Sequence, residues 1–224
     1  MDTTQRDAFI GGDGDAYEMR NAGATANAIV VRQIAAYVSS ASCVLEVGCG
    51  AGQNLRALEV LVPGITCFGI DPSPVAIQRA QASAPHHWLE VATADDIPFD
   101  GPFDFVFFGF CLYLCDRALL HKTVAEADRV LSIDQREQPR FLAILDFDSV
   151  HPTSRPYHHN PQLTTYKMNY PALFLANPAY QLISKVPLNH ATGFSEWVAD
   201  PEDRVALWIL EKNVRWAYVE QGIE

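Results

Sequence analysis

The chain has 224 residues and a formal net charge of −11, and 49% of its residues are hydrophobic. This length and composition suit one globular domain with a sizeable core and exclude a disordered chain. The acidic balance argues against a nucleic-acid partner, since backbone binding needs a positive surface, and no apolar run reaches the roughly 18 residues that span a bilayer.

Residues 1–23 are polar and glycine-rich, and they predict a mobile N-terminal arm with a short helix near 16–21. The start of this arm lacks the apolar core of a signal peptide. The five cysteines are odd in number and have no zinc-site spacing. A reduced, cytoplasmic protein without a metal site is therefore the simplest interpretation. His86 and His87 are expected at the surface, and the oligomeric state stays open.

Behind the arm, apolar strand-like runs alternate with helical patterns. Helices are predicted at 24–40, 53–61, 74–84 and 117–131, and strands at 43–47, 66–70, 88–92, 104–108 and 141–145. This alternation indicates a doubly wound parallel sheet with helices on both faces.

The pattern changes after residue 146. Residues 151–180 are rich in Pro, Tyr, His and Asn and have little periodicity. They predict an insertion that forms a lid over the carboxyl edge of the sheet, where ligands bind in such folds. Strand-like runs resume at 181–186 and 205–210 and predict an antiparallel pair that closes the sheet. Residues 1–224 are thus expected to form a single domain.

The most informative feature is a glycine-rich turn between a strand and a helix, E-V-G-C-G-A-G at residues 46–52. Glycines let a ligand lie against bare backbone. The next strand ends on Asp71, at about the 20-residue spacing expected between such a turn and a ribose-binding acid. A carboxylate there can accept both hydrogen bonds of a ribose diol, whereas Glu46 would repel a pyrophosphate. These residues predict a site for an adenosine-bearing cofactor.

The turn resembles the first motif, E-x-G-x-G-x-G, of class I methyltransferases that depend on S-adenosylmethionine (SAM). The resemblance implies SAM as cofactor and an α/β, Rossmann-like fold. Its sheet would have seven mostly parallel strands, helices on both faces and an antiparallel C-terminal pair. The residues that it places along SAM are Glu46, Gly48, Cys49, Gly50 and Asn54 at the methionine and ribose, Asp71 at the ribose hydroxyls and Pro72 at the adenine.

The segment 93–99, after the third strand, resembles the family segment that holds adenine. Many relatives have an acid in the position of Thr93, whereas here the acids come two and three residues later. The candidates to bind the exocyclic amine are therefore Asp95 or Asp96, together with the backbone of Ala94.

Residues 13–21 extend the resemblance to the methylases associated with pseudaminic acid biosynthesis, in which F-G-x-x-Y-x-x-R-N precedes the core. The sequence D-G-D-A-Y-E-M-R-N matches all but the first aromatic, and the segments 53–58, 166–170 and 208–212 are also similar. By analogy, Tyr17 and Arg20 are expected to clamp the methionine carboxylate, because a guanidinium donates two parallel bonds.

Residues 109–116 follow the fourth strand and face the methyl group in this fold. The resembled methylases have a histidine near the place of Tyr113, and tyrosine is a poor base at pH 7 because its unperturbed pKa is about 10. Aromatic rings do offer π faces to a sulfonium. We therefore expect a wall of the active site to be formed by aromatic side chains: Phe110, Tyr113, Tyr157, Tyr166 and Tyr170.

Two further polar residues are candidates for the substrate pocket. His158, in the insertion, could act as a base or bind the substrate. Asn169 stands where the resembled group tends to have an acid, which suggests that a charge has been lost from the pocket.

Two reactions fit these residues about equally. The first is methyl transfer to a small acceptor, such as a sugar or an amino-acid-like molecule of secondary metabolism. The second is cyclisation of SAM itself to azetidine-2-carboxylate and methylthioadenosine, by a synthase on the same fold. The missing base favours cyclisation, in which Tyr113 and the 166–170 segment would press SAM into a folded shape. A SAM-binding protein without catalysis is a third hypothesis.

Overall fold

A seven-stranded sheet organises the chain in this computed structural model, which describes residues 4–131, 139–193, 203–214 and the single residues 198, 200 and 217. The described residues form nine strands: β1 (Cys43–Val47), β2 (Thr66–Asp71), β3 (Trp88–Val91), β4 (Phe105–Gly109), β5 (Arg140–Phe147), β6 (Thr153–Tyr157), β7 (Asn160–Lys167), β8 (Tyr180–Asn189) and β9 (Arg204–Lys212). The sheet has the order β3-β2-β1-β4-β5-β9-β8. Strands β1 to β5 pair in parallel, and β9 is antiparallel to both of its neighbours.

The helices cover both faces of this sheet, as the alternation predicted. They are α1 (Gln5–Ala8), α2 (Gly14–Arg20), α3 (Ala28–Ala35), α4 (Gln53–Leu61), α5 (Pro74–Ser83), α6 (Leu120–Val130) and α7 (Pro171–Leu175). Buried side chains of α3, α4 and α5 pack on one face, and those of α6 and α7 pack on the other. The doubly wound arrangement is confirmed.

Strand β4 shows why the parallel strands could be recognised from the sequence. Phe105 and Phe107 enter the core on one face, while Val106 and Phe108 enter the core on the other. All four are at most 3% exposed, so the strand is apolar throughout, as expected of a central parallel strand.

Local chemistry fixes the start of the helix after β2. The Ser73 hydroxyl accepts a hydrogen bond from the Ala76 amide at 3.0 Å, and Pro74 occupies the first turn. The first amides of a helix have no partner within it. An N-cap hydroxyl accepts a hydrogen bond from one of them, and a proline in the first turn has no amide N–H that would need a partner. Helix α5 therefore begins immediately beside Asp71, at the carboxyl edge of the sheet.

The described part of the N-terminal arm is helical and is tied to α5. Asp15 accepts hydrogen bonds from the Ser73 hydroxyl at 2.5 Å and from the Val75 amide at 3.3 Å. Arg79 and Glu18 form an ion pair at 3.0 Å. The expectation of a mobile arm is thus corrected for residues 4–20, because acidic side chains of α2 bind polar groups at α5. Residues 1–3 lie outside the described part.

The segment predicted as an irregular lid contains a β-hairpin, formed by β6 and β7, followed by α7. Its strands were not recognisable because the first four residues of β6 are exposed and carry no apolar alternation. Strand β8 likewise extends beyond the expected 181–186, since exposed side chains and a bulge between Leu182 and Ser184 interrupt its pattern.

The structure also answers two questions raised by composition. All five cysteines are free. Within the described ranges, no helix combines the length and the apolar character needed to cross a membrane.

Candidate active site

The glycine-rich turn adopts a backbone that favours glycine. Gly48, Gly50 and Gly52 have φ values of 76°, 51° and 74°, in the left-handed region that side chains disfavour. The amides of Gly48 and Cys49 both donate to the Ile70 carbonyl, at 2.9 and 3.0 Å. The turn is therefore bonded to the end of β2, and its outer side is bare backbone.

The carboxylate of Asp71 joins the loops that follow β1 and β2. One oxygen accepts from the Gly50 amide at 3.0 Å and the other from the Ser73 amide at 2.9 Å. Burial raises the pKa of Asp71 to about 6, so it is mostly ionised at pH 7. A carboxylate has about four acceptor positions, and two of them remain for the hydroxyls of a ribose.

An open cleft with an empty volume of about 890 Å³ lies at the carboxyl ends of β1, β2, β3 and β4; we call it the strand-end cleft. Its lining includes eight of the residues predicted to bind the cofactor: Tyr17, Gly48, Gly50, Asp71, Pro72, Ala94, Asp95 and Phe110. Bare glycine backbone, a diol-binding acid and apolar walls together fit an adenosine with an attached amino acid.

Three other predicted cofactor residues lie behind the turn and do not line this cleft. Glu46 is 1% exposed, and one of its carboxylate oxygens accepts from the Asn54 amide group at 2.7 Å. A Cβ added at Gly109 would lie 2.6 Å from that oxygen, and the Cys49 sulfur similarly lies against Gly69. Contact of these side chains with SAM is thus corrected: alternation along β1 turns Glu46 inward, and the turn directs Cys49 against β2 at Gly69.

Burial changes the charge of Glu46. It raises the pKa of this carboxyl to about 8, although the Asn54 hydrogen bond acts in the opposite direction. The group is therefore mostly neutral at pH 7, which avoids an ionised carboxylate in the core.

The segment after β3 separates the two acids that the sequence could not distinguish. Asp95 is 4% exposed and lines the strand-end cleft. Asp96 has a side chain that is 71% exposed, and it is not part of the lining. Arg6, from the arm, lies 3.5 Å from Asp95 and donates to Thr93 at 3.2 Å. Of the two candidates, only Asp95 lines the cleft.

A second, larger cavity of about 1450 Å³ adjoins the strand-end cleft, and Tyr17 and Phe110 line both. We call it the aromatic cavity because rings form one wall. Phe110 packs against Tyr113, Phe147 and His190, with ring centroids 5.0, 5.1 and 5.3 Å apart. Its other lining includes several basic side chains: Arg20, Arg155, His158, His159 and Lys167.

Tyr113 faces the aromatic cavity but cannot act as a base. Its hydroxyl is hydrogen-bonded to that of Tyr17, and burial raises its pKa well above the usual value. Its backbone amide donates to Asp146 at 3.1 Å, which fixes the turn after β4. Tyr113 therefore shapes the wall of the cavity.

Arg20 also belongs to the aromatic cavity and is not among the residues that line the strand-end cleft. It donates to the Tyr157 hydroxyl at 3.2 Å, and its guanidinium lies 5.9 Å from the centre of the Tyr17 ring. A clamp on a methionine carboxylate would therefore have to form at the junction of the two cavities.

Tyr166, Asn169 and Tyr170 line neither cavity, which corrects the expected place of the two tyrosines in the active-site wall and of Asn169 in the substrate pocket. Side chains alternate along β7, so Thr165 and Lys167 face the aromatic cavity and Tyr166 faces away. The Arg117 guanidinium lies over the Tyr166 ring at 4.6 Å. Tyr170 is fully buried and donates to the Tyr166 carbonyl at 2.6 Å, whereas Asn169 is exposed.

Sequence reasoning missed His190, whose ring stacks on Phe110 at an interplanar angle of 14°. Desolvation lowers the pKa of His190 below its usual value, so the imidazole is neutral at pH 7. His190 directly follows β8, at the same edge of the sheet as the ends of β4 and β5. Had β8 been predicted to end at residue 189 and not at 186, His190 would have been placed at this edge of the sheet. The other candidate, His158, also lines the aromatic cavity, and the side chains of both histidines are exposed.

Comparison with known proteins agrees with this geometry. Residues 44–134 match the family described as a methyltransferase domain. A 95-residue stretch is 33% identical to an uncharacterised methyltransferase of Synechocystis sp. and covers 42% of this chain and 44% of that protein. The chain thus matches less than half of the length of this relative.

Solved structures share the fold at low sequence identity. The 1,6-didemethyltoxoflavin N1-methyltransferase of Burkholderia thailandensis, solved with S-adenosylhomocysteine and 1,6-didemethyltoxoflavin, is 16% identical. Its TM-score is 0.67, over 93% of this chain and 87% of that one. The N-methyltransferase NodS of Bradyrhizobium japonicum, solved with S-adenosylhomocysteine, is 14% identical, with a TM-score of 0.60 over 83% and 85% of the two chains. The chain has the Rossmann-like fold of class I methyltransferases, and the predictions of this fold and of SAM as cofactor are confirmed.

We expect Gly48→Ala to destabilise the protein more than Gly50→Ala. Alanine at either position is strained by about 1–2 kcal/mol because φ is positive. A Cβ at Gly48 would also lie 2.8 Å from the Cys111 Cβ, and such overpacking costs about 1–3 kcal/mol more. The nearest atom to a Cβ at Gly50, a Glu18 oxygen, is 3.7 Å away. Urea titrations of both variants would measure the free energies of unfolding, and equal losses would contradict this geometry.

Proposed function

We propose that the protein is a methyltransferase that transfers a methyl group from SAM to a small molecule held in the aromatic cavity. The observation that carries this proposal is the junction of two cavities. The strand-end cleft suits an adenosine, and it opens at Tyr17 and Phe110 onto a second space that is large enough for an acceptor.

The side chains at this junction would bind and align the two ligands. Bound SAM supplies an electrophilic methyl carbon. Asp71 would accept hydrogen bonds from the ribose hydroxyls, in addition to those it already accepts from Gly50 and Ser73. Phe110 and Tyr17 would offer π faces to positive charge and exclude water from the junction. Alignment of two bound reactants accounts for much of the rate in such a displacement.

His190 is the group best placed to accept a proton from the acceptor. It stacks on the residue that separates the two cavities, and its lowered pKa leaves it neutral at pH 7. A neutral imidazole can take a proton from a hydroxyl or amine that attacks the methyl carbon. The acceptor would be a sugar or an amino-acid-like molecule with a polar nucleophile and an apolar face against Phe110 and Phe147.

The cyclisation of SAM to azetidine-2-carboxylate depended on two expectations. One was that a base is missing, whereas His190 lines the aromatic cavity, which also has room for an acceptor. The other was that the 166–170 segment presses on SAM, but Tyr166 and Tyr170 line neither cavity, and of this segment only Lys167 reaches the aromatic cavity. The same observations favour catalysis over mere SAM binding, since a binding protein has no use for the second cavity.

The products formed from SAM test the proposal directly. We expect purified protein to leave SAM unchanged until a cell extract or a library of small sugars and amino acids is added. S-adenosylhomocysteine and a methylated acceptor should then appear in the mass spectrum. Methylthioadenosine formed from SAM alone would replace the proposal with cyclisation, and unchanged SAM in every mixture would replace it with binding alone.

The cofactor assignment has a separate test in Asp71→Asn. Loss of the carboxylate charge weakens hydrogen bonds that are each worth about 1.5–3 kcal/mol when charged. We expect SAM to bind about 10- to 100-fold more weakly by calorimetry. The matched control is Asp96→Asn, which changes an exposed acid outside the cleft. Unchanged affinity in the Asp71 variant, at an unchanged melting temperature, would remove Asp71 from the site.

The role of His190 predicts a pH profile. Below the pKa of His190 the imidazole is protonated and cannot accept a proton, so kcat should fall as the pH drops through that value. His190→Ala should lower kcat by at least about 10²-fold and remove this acidic limb. His158→Ala is the matched control, since this histidine lines the same cavity but does not contact Phe110. A His190 variant within twofold of the wild type would exclude the role.

A further inference from the structure

Two histidines and a glutamate meet at the opposite edge of the sheet from the proposed active site. Glu59 lies on the last turn of α4, and His86 and His87 lie in the turn before β3. Parallel strands have one carboxyl edge, where α4 begins, and one amino edge, where α4 ends and β3 begins. The cluster is therefore at the amino edge, separated from the strand-end cleft by the length of the strands.

Both imidazoles converge on the one carboxylate. His86 Nε2 lies 2.8 Å from one oxygen of Glu59, and His87 Nε2 lies 3.0 Å from the other. The ligand atoms of the three residues all lie within 4.8 Å of one another. Neighbouring residues seldom direct their side chains to one point, but here the two rings are tilted by 69° with centroids 4.6 Å apart.

The spacing is close to that around a tetrahedral zinc ion. Zinc binds histidine nitrogen and carboxylate oxygen at about 2.0–2.2 Å, so its ligand atoms lie about 3.3–3.6 Å apart. The nitrogen–oxygen distances in the cluster would need to grow by only a few tenths of an ångström. Two imidazoles and a carboxylate also favour zinc and its transition-metal neighbours over magnesium or calcium, which prefer oxygen ligands.

The three side chains differ in how firmly they are held. The side chain of His87 is 2% exposed, that of Glu59 is 31% exposed and that of His86 is 63% exposed. The expectation that both histidines lie at the surface is therefore wrong for His87. The buried histidine fixes one ligand, while the exposed one leaves access for an ion from solvent.

We propose that Glu59, His86 and His87 form a binding site for one divalent transition-metal ion, of which zinc is the natural candidate. Water would complete the coordination. The site would link the end of α4 to the start of β3, and its position away from both cavities gives it a structural role. His87 Nδ1 is buried and has no hydrogen-bond partner among the described residues. Metal-binding histidines usually donate the N–H of the second ring nitrogen to a partner. Because His87 lacks this support within the part of the chain that the structure describes, we expect the site to bind zinc with micromolar affinity, more weakly than closed structural sites do.

Zinc binding to the full-length protein provides the test. Metal-free protein dialysed against ZnCl₂ in a thiol-free buffer should bind one equivalent of zinc with a micromolar dissociation constant. Zinc at about 100 times that constant should raise Tm by about 5–10 °C, and EDTA should reverse the shift. MgCl₂ at the same concentration should leave Tm unchanged.

Variants assign the ion to this cluster. His86→Ala and Glu59→Gln should each weaken zinc binding at least tenfold and abolish the Tm shift, and the exposed position of His86 should let its variant fold. His121→Ala is the matched control, because it removes an exposed histidine of α6 outside the cluster. Absence of stoichiometric zinc binding, or binding unchanged in both cluster variants, would overturn the proposal.

Discussion

The site depends on the carboxylate of Asp71, which holds together two loops that are far apart in sequence. Its oxygens accept hydrogen bonds from Gly50, after β1, and from Ser73, at the start of α5. The arm is attached to the same point, because the Ser73 hydroxyl donates to Asp15. One half-buried acid thus sets the distance between the glycine turn, the helix after β2 and the arm. Burial raises its pKa to about 6, so the arrangement persists in ionised form at neutral pH.

The two cavities are built by different parts of the chain. The strand-end cleft is formed by loops of the parallel sheet, whose positions follow from the order of the strands. The aromatic cavity is formed largely by the hairpin of β6 and β7 and by the ends of β8 and β9. The cofactor site that we propose therefore uses parts typical of the fold, whereas the proposed acceptor site depends on side chains particular to this chain.

The sequence predicted the first of these parts better than the second, for physical reasons. Asp71 and the glycines are constrained by backbone geometry, which leaves a local pattern. The inward direction of Glu46 depends on which face of β1 meets α4, and that is decided by tertiary packing. The orientation of Tyr166 depends on the register of a hairpin in which β6 is mostly exposed and the buried positions of β7 include the polar residues Thr165 and Lys167, so no apolar alternation marks the strands. His190 was missed because polar and exposed residues of β8 concealed the true end of the strand.

Phe110, at the junction of the cavities, is the one non-glycine residue with a positive φ within the described part of the chain, at 59°. Such a backbone costs about 1–2 kcal/mol for a residue with a Cβ, and it persists only where surrounding contacts hold it. Here the rings of Tyr113, Phe147 and His190 hold it. Folding alone would favour glycine at this position, whereas a wall between the cavities requires an aromatic ring. Under the proposed function, stability and the reaction therefore place opposite demands on this residue.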